Sequence, residues 1–150
     1  MKVMVSSTIV DLPEHRQQVE AACLDQEMLP LMMEHQPASY LDPVAFSIDL
    51  VNRADVYVGV YAYRYGYVPD GHPISLTEME YNRACDRGIP RAIFIMDKDH
   101  PIRREDVETG AAEAKLRAFK ERLGKENFIK FFKSPVGLGP ANKTCGKGGR

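Results

Sequence analysis

The run Val56-Tyr57-Val58-Gly59-Val60-Tyr61-Ala62 is apolar at every position. A strand with one wet face alternates polar and apolar residues, whereas an unbroken run suits a strand covered on both faces. Covering both faces takes helices on either side of a parallel sheet, so this segment points to α/β architecture. Gly59 in its middle marks a close approach, expected to be that of a helix.

The flanking sequence supplies the other layers in alternation. Lys2 to Ser6 is a short apolar strand, and Ser6-Ser7-Thr8 is a polar loop after it. Asp11, Pro13 and Glu14 then mark a helix start, with Asp11 as N-cap and the helix running to about Leu24. Met28 to Met33 reads as a second strand, placed at a sheet edge by Pro30. Asp42-Pro43 opens another helix with Phe46, Leu50 and Val51 inward. After the central strand come a loop with Gly66, Pro69, Gly71 and Pro73, a helix over 75–87, and Gly88 as its stop. Arg91 to Met96 is a fourth strand. A helix over 111–123 has Ala112, Leu116, Phe119 and Leu123 at helical spacing and Gly124 as its stop. Phe128 to Phe132 is the last strand.

Five strands and four intervening helices predict a doubly wound, flavodoxin-like three-layer fold with a five-stranded parallel sheet. One domain is expected over 1–133, followed by a flexible, Gly/Pro-rich, basic tail at 134–150. Net charge is −1, which gives no whole-chain attraction to nucleic acid or to membrane. No apolar run approaches the roughly 20 residues of a membrane span, and the first residues lack a signal-peptide core. The odd cysteine count (Cys23, Cys85, Cys145) argues against a disulfide scaffold. A cytoplasmic location is expected. No metal is expected, because His35, His72 and His100 are scattered without paired spacing. The glycine-rich P-loop pattern is absent, which excludes ATP hydrolysis by that device.

In an open parallel sheet, ligands sit at the carboxyl ends of the strands. Glu78 falls at such a mouth, and two readings stand. Ser75-x-x-Glu78 is a capping box, in which Glu78 reaches back to the helix start. Alternatively, Glu78 is a carboxylate that stabilises positive charge on a sugar carbon or attacks it. Glu80 lies about 200° around the helix from Glu78, so one of the two is expected to be solvated or ion-paired. The hydroxyls of Ser6, Ser7 and Thr8 suit a ribose or a phosphate, or simply form a turn. Glu34 suits ribose hydroxyls or exposure to water. Arg64 suits a phosphate or an ion pair with a local acid such as Asp70, and Tyr63 or Tyr65 suits a stacked base.

Val3-Met4-Val5-Ser6-Ser7-Thr8, Asp11-Leu12, Arg16, Met33-Glu34, Ala54 to Val58, Arg64-Tyr65-Gly66, Ser75, Glu78 to Tyr81, Ala84 and Gly88-Ile89-Pro90 occur in this order. Together they resemble the DUF4062 domain, often found at the amino end of large signalling NTPases. That family is similar to TIR domains and nucleoside deoxyribosyltransferases, which share a flavodoxin-like fold. Enzymatic members of both groups cut or transfer N-glycosidic bonds with a glutamate at a helix start. The deoxyribosyltransferase pattern Glu-x-x-Tyr-Ala is similar to Glu78 to Asn82, without the alanine, and it selects Glu78 over Glu80. The resemblance implies a signalling or defence-type domain that binds a nucleotide, with NAD or a nucleoside as substrate rather than cofactor. Glu78 would be catalytic, with Ser6, Ser7, Thr8, Glu34, Arg64, Tyr65 and Tyr81 around the substrate. The alternative is a non-catalytic module that self-associates or binds a protein partner. The NTPase region and the family's last helix are missing from this sequence, which fits either a fragment or a short stand-alone form.

Overall fold

The computed structural model describes residues 1–8, 11–97, 99 and 103–135. Five strands form one parallel sheet: β1 (Lys2–Ser6), β2 (Leu29–Leu31), β3 (Val56–Tyr61), β4 (Arg91–Met96) and β5 (Ile129–Phe132). Four α-helices connect them in sequence: α1 (Pro13–Asp25), α2 (Pro43–Arg53), α3 (Leu76–Arg87) and α4 (Ala111–Glu126). Two 3₁₀ turns lie at Met33–His35 and Arg104–Asp106. The strand order is β2-β1-β3-β4-β5, which is flavodoxin-like. The tail expected at 134–150 lies outside the described residues beyond Pro135. Among the described residues no helix is long and apolar enough to cross a membrane.

Strand parity divides the core into two layers. Tyr57 and Tyr61 of β3, with Ile93 and Ile95 of β4, face Leu50 of α2, Ala84 of α3 and Phe119 of α4. On the other face, Val3, Val5 and Val60 pack with Val19 and Cys23 of α1. The continuous apolar run of β3 is therefore covered on both sides. Gly59 serves a side chain rather than a helix. A Cβ there would stand 2.5 Å from the Tyr61 hydroxyl oxygen, so glycine leaves room for that ring.

Several expected boundaries move for physical reasons. The N-cap of α1 is Leu12 and carries no side-chain cap, because Asp11 accepts the Thr8 hydroxyl instead. β2 is an edge strand, as Pro30 predicts, but only three residues long, and the chain turns into 3₁₀ geometry at Met33. α4 runs through Gly124. Its end is set by Asn127, whose backbone and side-chain nitrogens both donate to the Leu123 carbonyl. At α2, Asp42 caps as expected, accepting from the Ala45 amide at 2.9 Å. Gly88 closes α3 in the left-handed region at φ +66°.

Candidate functional site

β1 and β3 are neighbours, but the chain leaves them in opposite directions across the sheet. The loops at their carboxyl ends diverge, and a crevice opens at this switch point. The cleft there has a volume of about 540 Å³, within the range of small-molecule sites. Ser7 and Thr8 enter it from the loop after β1, Met33 from the turn after β2, and Arg64, Gly66 and Tyr67 from the loop after β3. Thr77 and Glu80 enter from the first turns of α3, and Glu108 closes the far wall. Gly66 has φ +97°, and a Cβ there would press on Thr77 Oγ1 and Thr8 Cγ2, each at 3.2 Å. Glycine at this position satisfies both the backbone and the narrow space between the two loops.

The carboxylate that lines this cleft is Glu80. It is buried, on the face of α3 that also carries Thr77, Tyr81 and Ala84. Burial is the dominant influence and pushes its carboxyl up to about 7. The hydroxyls of Ser47 and Ser6 and the charge of Arg16 pull the other way. Ser6 and Ser47 are themselves buried, and neither hydroxyl makes a close hydrogen bond to any described group. Beneath Ser6 lie the hydroxyls of Tyr57 and Tyr61, bonded to each other. Burial raises the proton affinity of both phenols, and the charge of Glu80 raises it further.

Arg16 organises the same end of the sheet from below. Only 4% of it is exposed. Its Nε and Nη2 donate to the two carboxylate oxygens of Glu34 at 2.8 and 2.7 Å. Its Nη1 donates to the Ser7 hydroxyl at 2.7 Å and the Ser7 carbonyl at 3.3 Å. One guanidinium thus ties the loop after β1 to the turn after β2, in the fork geometry that suits arginine. Burial opposes the charge on Glu34, yet the Arg16 bonds outweigh it and hold that carboxyl below its ordinary value.

Ser7, Thr8 and Arg64 therefore line the cleft, with Ser6 beneath Glu80 and Glu34 adjoining through Arg16. Arg64 pairs with Glu108 rather than with Asp70, its Nε 4.0 Å from Glu108 Oε1. Glu78, Tyr65 and Tyr81 lie elsewhere. Glu78 lines a smaller depression of about 270 Å³ against α4, with Tyr65 and Arg122. Its carboxylate accepts the Tyr65 hydroxyl and stands 3.4 Å from Arg122 Nη1. Half of the capping box forms: the Glu78 amide donates to Ser75 Oγ at 3.2 Å. The return arm belongs to Tyr65, whose hydroxyl accepts from the Ser75 amide at 3.1 Å. The Tyr81 hydroxyl donates to Glu126 and accepts from Asn127 just before β5, at the opposite end of the strands.

The aromatic ring at the cleft is Tyr67, 65% exposed and free of the packing that holds Tyr65. Glu80, Arg16, Ser47 and Tyr67 are the residues that the sequence reading did not assign. Helical periodicity carries the signal for Glu80, since Thr77, Glu80, Tyr81 and Ala84 repeat on one face and Glu78 does not. Among the described residues no group of three His, Cys, Asp or Glu side chains could hold a metal ion.

No curated protein matches the chain in sequence. A match to "Domain of unknown function (DUF4062)" extends over residues 2–142 and takes in all five strands, both walls of the cleft, Glu80 and Arg16. This chain belongs to the DUF4062 family.

Proposed function

We propose that the cleft at the β1/β3 switch point binds a nucleoside or nucleotide and that the domain cleaves or transfers its N-glycosidic bond. The observation that carries this reading is a buried carboxyl, Glu80, on the wall of an open cleft. A desolvated carboxylate stabilises positive charge far better than a solvated one. As the bond between the sugar C1′ and the base nitrogen lengthens, the electron pair leaves with the base. Ionised Glu80 faces the resulting oxocarbenium character, or bonds to C1′ in a transient ester. Water then adds to C1′, its proton passing to the base, or a second base takes its place. Tyr67 stacks on the leaving base, and the loop Ser6-Ser7-Thr8 positions the sugar. The resemblance to TIR domains and deoxyribosyltransferases supports this chemistry and suggests a signalling or defence setting. The resemblance points to Glu78, and we assign the role to Glu80 instead because Glu80 lines the cleft and Glu78 does not.

A second reading is a self-associating module. It draws support from the edge strand β5, where Phe131 is largely exposed, next to fully exposed Phe128. One experiment separates the two. Purified domain is incubated at high concentration with NAD and, separately, with nucleosides, and free nicotinamide or free base is followed by chromatography. Product from wild type and from Glu78→Gln, with none from folded Glu80→Gln, supports the proposed reaction. Absence of product from folded, assembled wild type refutes it and leaves the interaction module.

A further inference from the structure

The cation at the cleft is already matched. Among the described residues that line it, one cation, Arg64, stands against two carboxylates, Glu80 and Glu108. Arg64 is held by Glu108 and also donates to the Glu105 carbonyl at 3.3 Å. Glu108 in turn accepts the Tyr65 amide at 2.6 Å, so this pair is anchored to the loop. Arg16 spends its donors on Glu34 and Ser7.

Several of the uncharged donors are committed as well. Thr8 gives its hydroxyl to Asp11, and Ser7 gives its hydroxyl to the Thr8 carbonyl at 3.2 Å. At the start of α3, where free amides commonly hold phosphate, the Leu76 amide donates to the Tyr67 carbonyl at 2.9 Å and the Glu78 amide to Ser75 Oγ. At the start of α2, beside Pro43 on the cleft wall, Asp42 already holds the Ala45 amide. The cation lining this cleft, Arg64, is available to a phosphate only if its pair with Glu108 breaks, and the phosphate would then stand beside Glu108 and Glu80. Like charges brought together in this way oppose binding. Sugar hydroxyls meet the reverse situation, since they donate and the carboxylates accept.

We propose that the cleft selects an unphosphorylated nucleoside, a base carrying a sugar with free hydroxyls, and rejects the corresponding phosphorylated nucleotides and dinucleotides. This rests on the reading of the cleft as a nucleoside site and narrows it. The Arg64–Glu108 pair is the device that enforces the selection. Releasing Arg64 from Glu108 turns a neutral pair into a free cation at the mouth.

The test is amide NMR on the full chain, titrated separately with adenosine, cytidine, their 5′-monophosphates and inorganic pyrophosphate. Shifts are read at Ser7, Thr8, Gly66 and Tyr67. The expected result is saturable shifts with a nucleoside, about tenfold or more weaker binding of its monophosphate, and no cleft response to pyrophosphate. In Glu108→Gln the monophosphate should gain most of that factor back, and pyrophosphate should begin to perturb the Arg64 loop. Wild-type binding of a monophosphate or of pyrophosphate at these amides, as tight as that of the nucleoside, overturns the selection and leaves the nucleoside site intact. Silence toward both nucleosides and both monophosphates overturns the site itself, and the selection with it. Selectivity unchanged in folded Glu108→Gln removes the Arg64–Glu108 pair as its cause.

Discussion

On the proposed reading, Glu80 is a side chain that gives up stability for chemistry. The nearby Ser6 and Ser47 hydroxyls and the charge of Arg16 favour its ionised form, but burial outweighs them and raises its affinity for a proton. In the unfolded chain it returns to its ordinary value of 4.5. The native state therefore holds more protons than the unfolded state between that value and about 7, and stability falls as pH rises through this window. The effect is on the order of 3 kcal/mol for a shift of this size in a fully buried group. Glutamine has the same shape and no charge to desolvate. Glu80→Gln should thus raise the unfolding free energy above pH 7 by about 2–3 kcal/mol and change it little near pH 4.5. Urea denaturation at the two pH values measures this, and equal effects at both would show that Glu80 is not desolvated.

Residue identity left this site half legible. The motif Ser75 to Tyr81 marks the correct helix start, and Ser7, Thr8 and Arg64 stand at the cleft. The choice between two glutamates rests on which face of α3 meets the sheet, and a short motif match does not encode facing. Arg16 was unreadable for a different reason. Its partners Ser7 and Glu34 lie 9 and 18 residues away, and they meet it only when β1 and β2 pair.

At the scale of elements, the loop after β3 is fixed by the contact that replaces the capping box. Tyr65, almost fully buried, joins the Ser75 amide to the Glu78 carboxylate, and Arg122 of α4 closes the arrangement from outside. Burial, with the neighbouring Glu78, raises the phenol's affinity for its proton, so it remains a donor. Tyr65→Phe would leave a buried amide without its acceptor and remove a donor to Glu78. The expected loss is about 1–3 kcal/mol in unfolding free energy, read by denaturant titration. A loss below about 0.3 kcal/mol would mean that water satisfies the Ser75 amide and that the loop is held otherwise.

The helices and strands themselves were largely written in local pattern. β4 lies where its apolar run predicts, and α2 starts at its Asp-Pro signal. Two of the misplaced boundaries share one cause. At Asp11 and Gly124 a local signal was outcompeted by a partner supplied by the fold, the Thr8 hydroxyl in one case and Asn127 in the other.

For the whole molecule, the strand order β2-β1-β3-β4-β5 converts these local preferences into a site. It places the loops after β1 and β3 side by side, and the packing of α2 and α3 on one face carries Ser47 and Glu80 to the gap. The layer of α1 on the other face supplies Arg16. Each of the three groups that tune the carboxyl thus comes from a different element, and their convergence depends on the complete sheet.

The direct test of this account is the titration of Glu80 itself, by carbon NMR of its side-chain carboxyl in the folded chain, assigned against Glu80→Gln. The account predicts a midpoint near 7 that moves when a nucleoside fills the cleft. A midpoint in the ordinary carboxylate range near 4.3, unmoved by ligand, would contradict it.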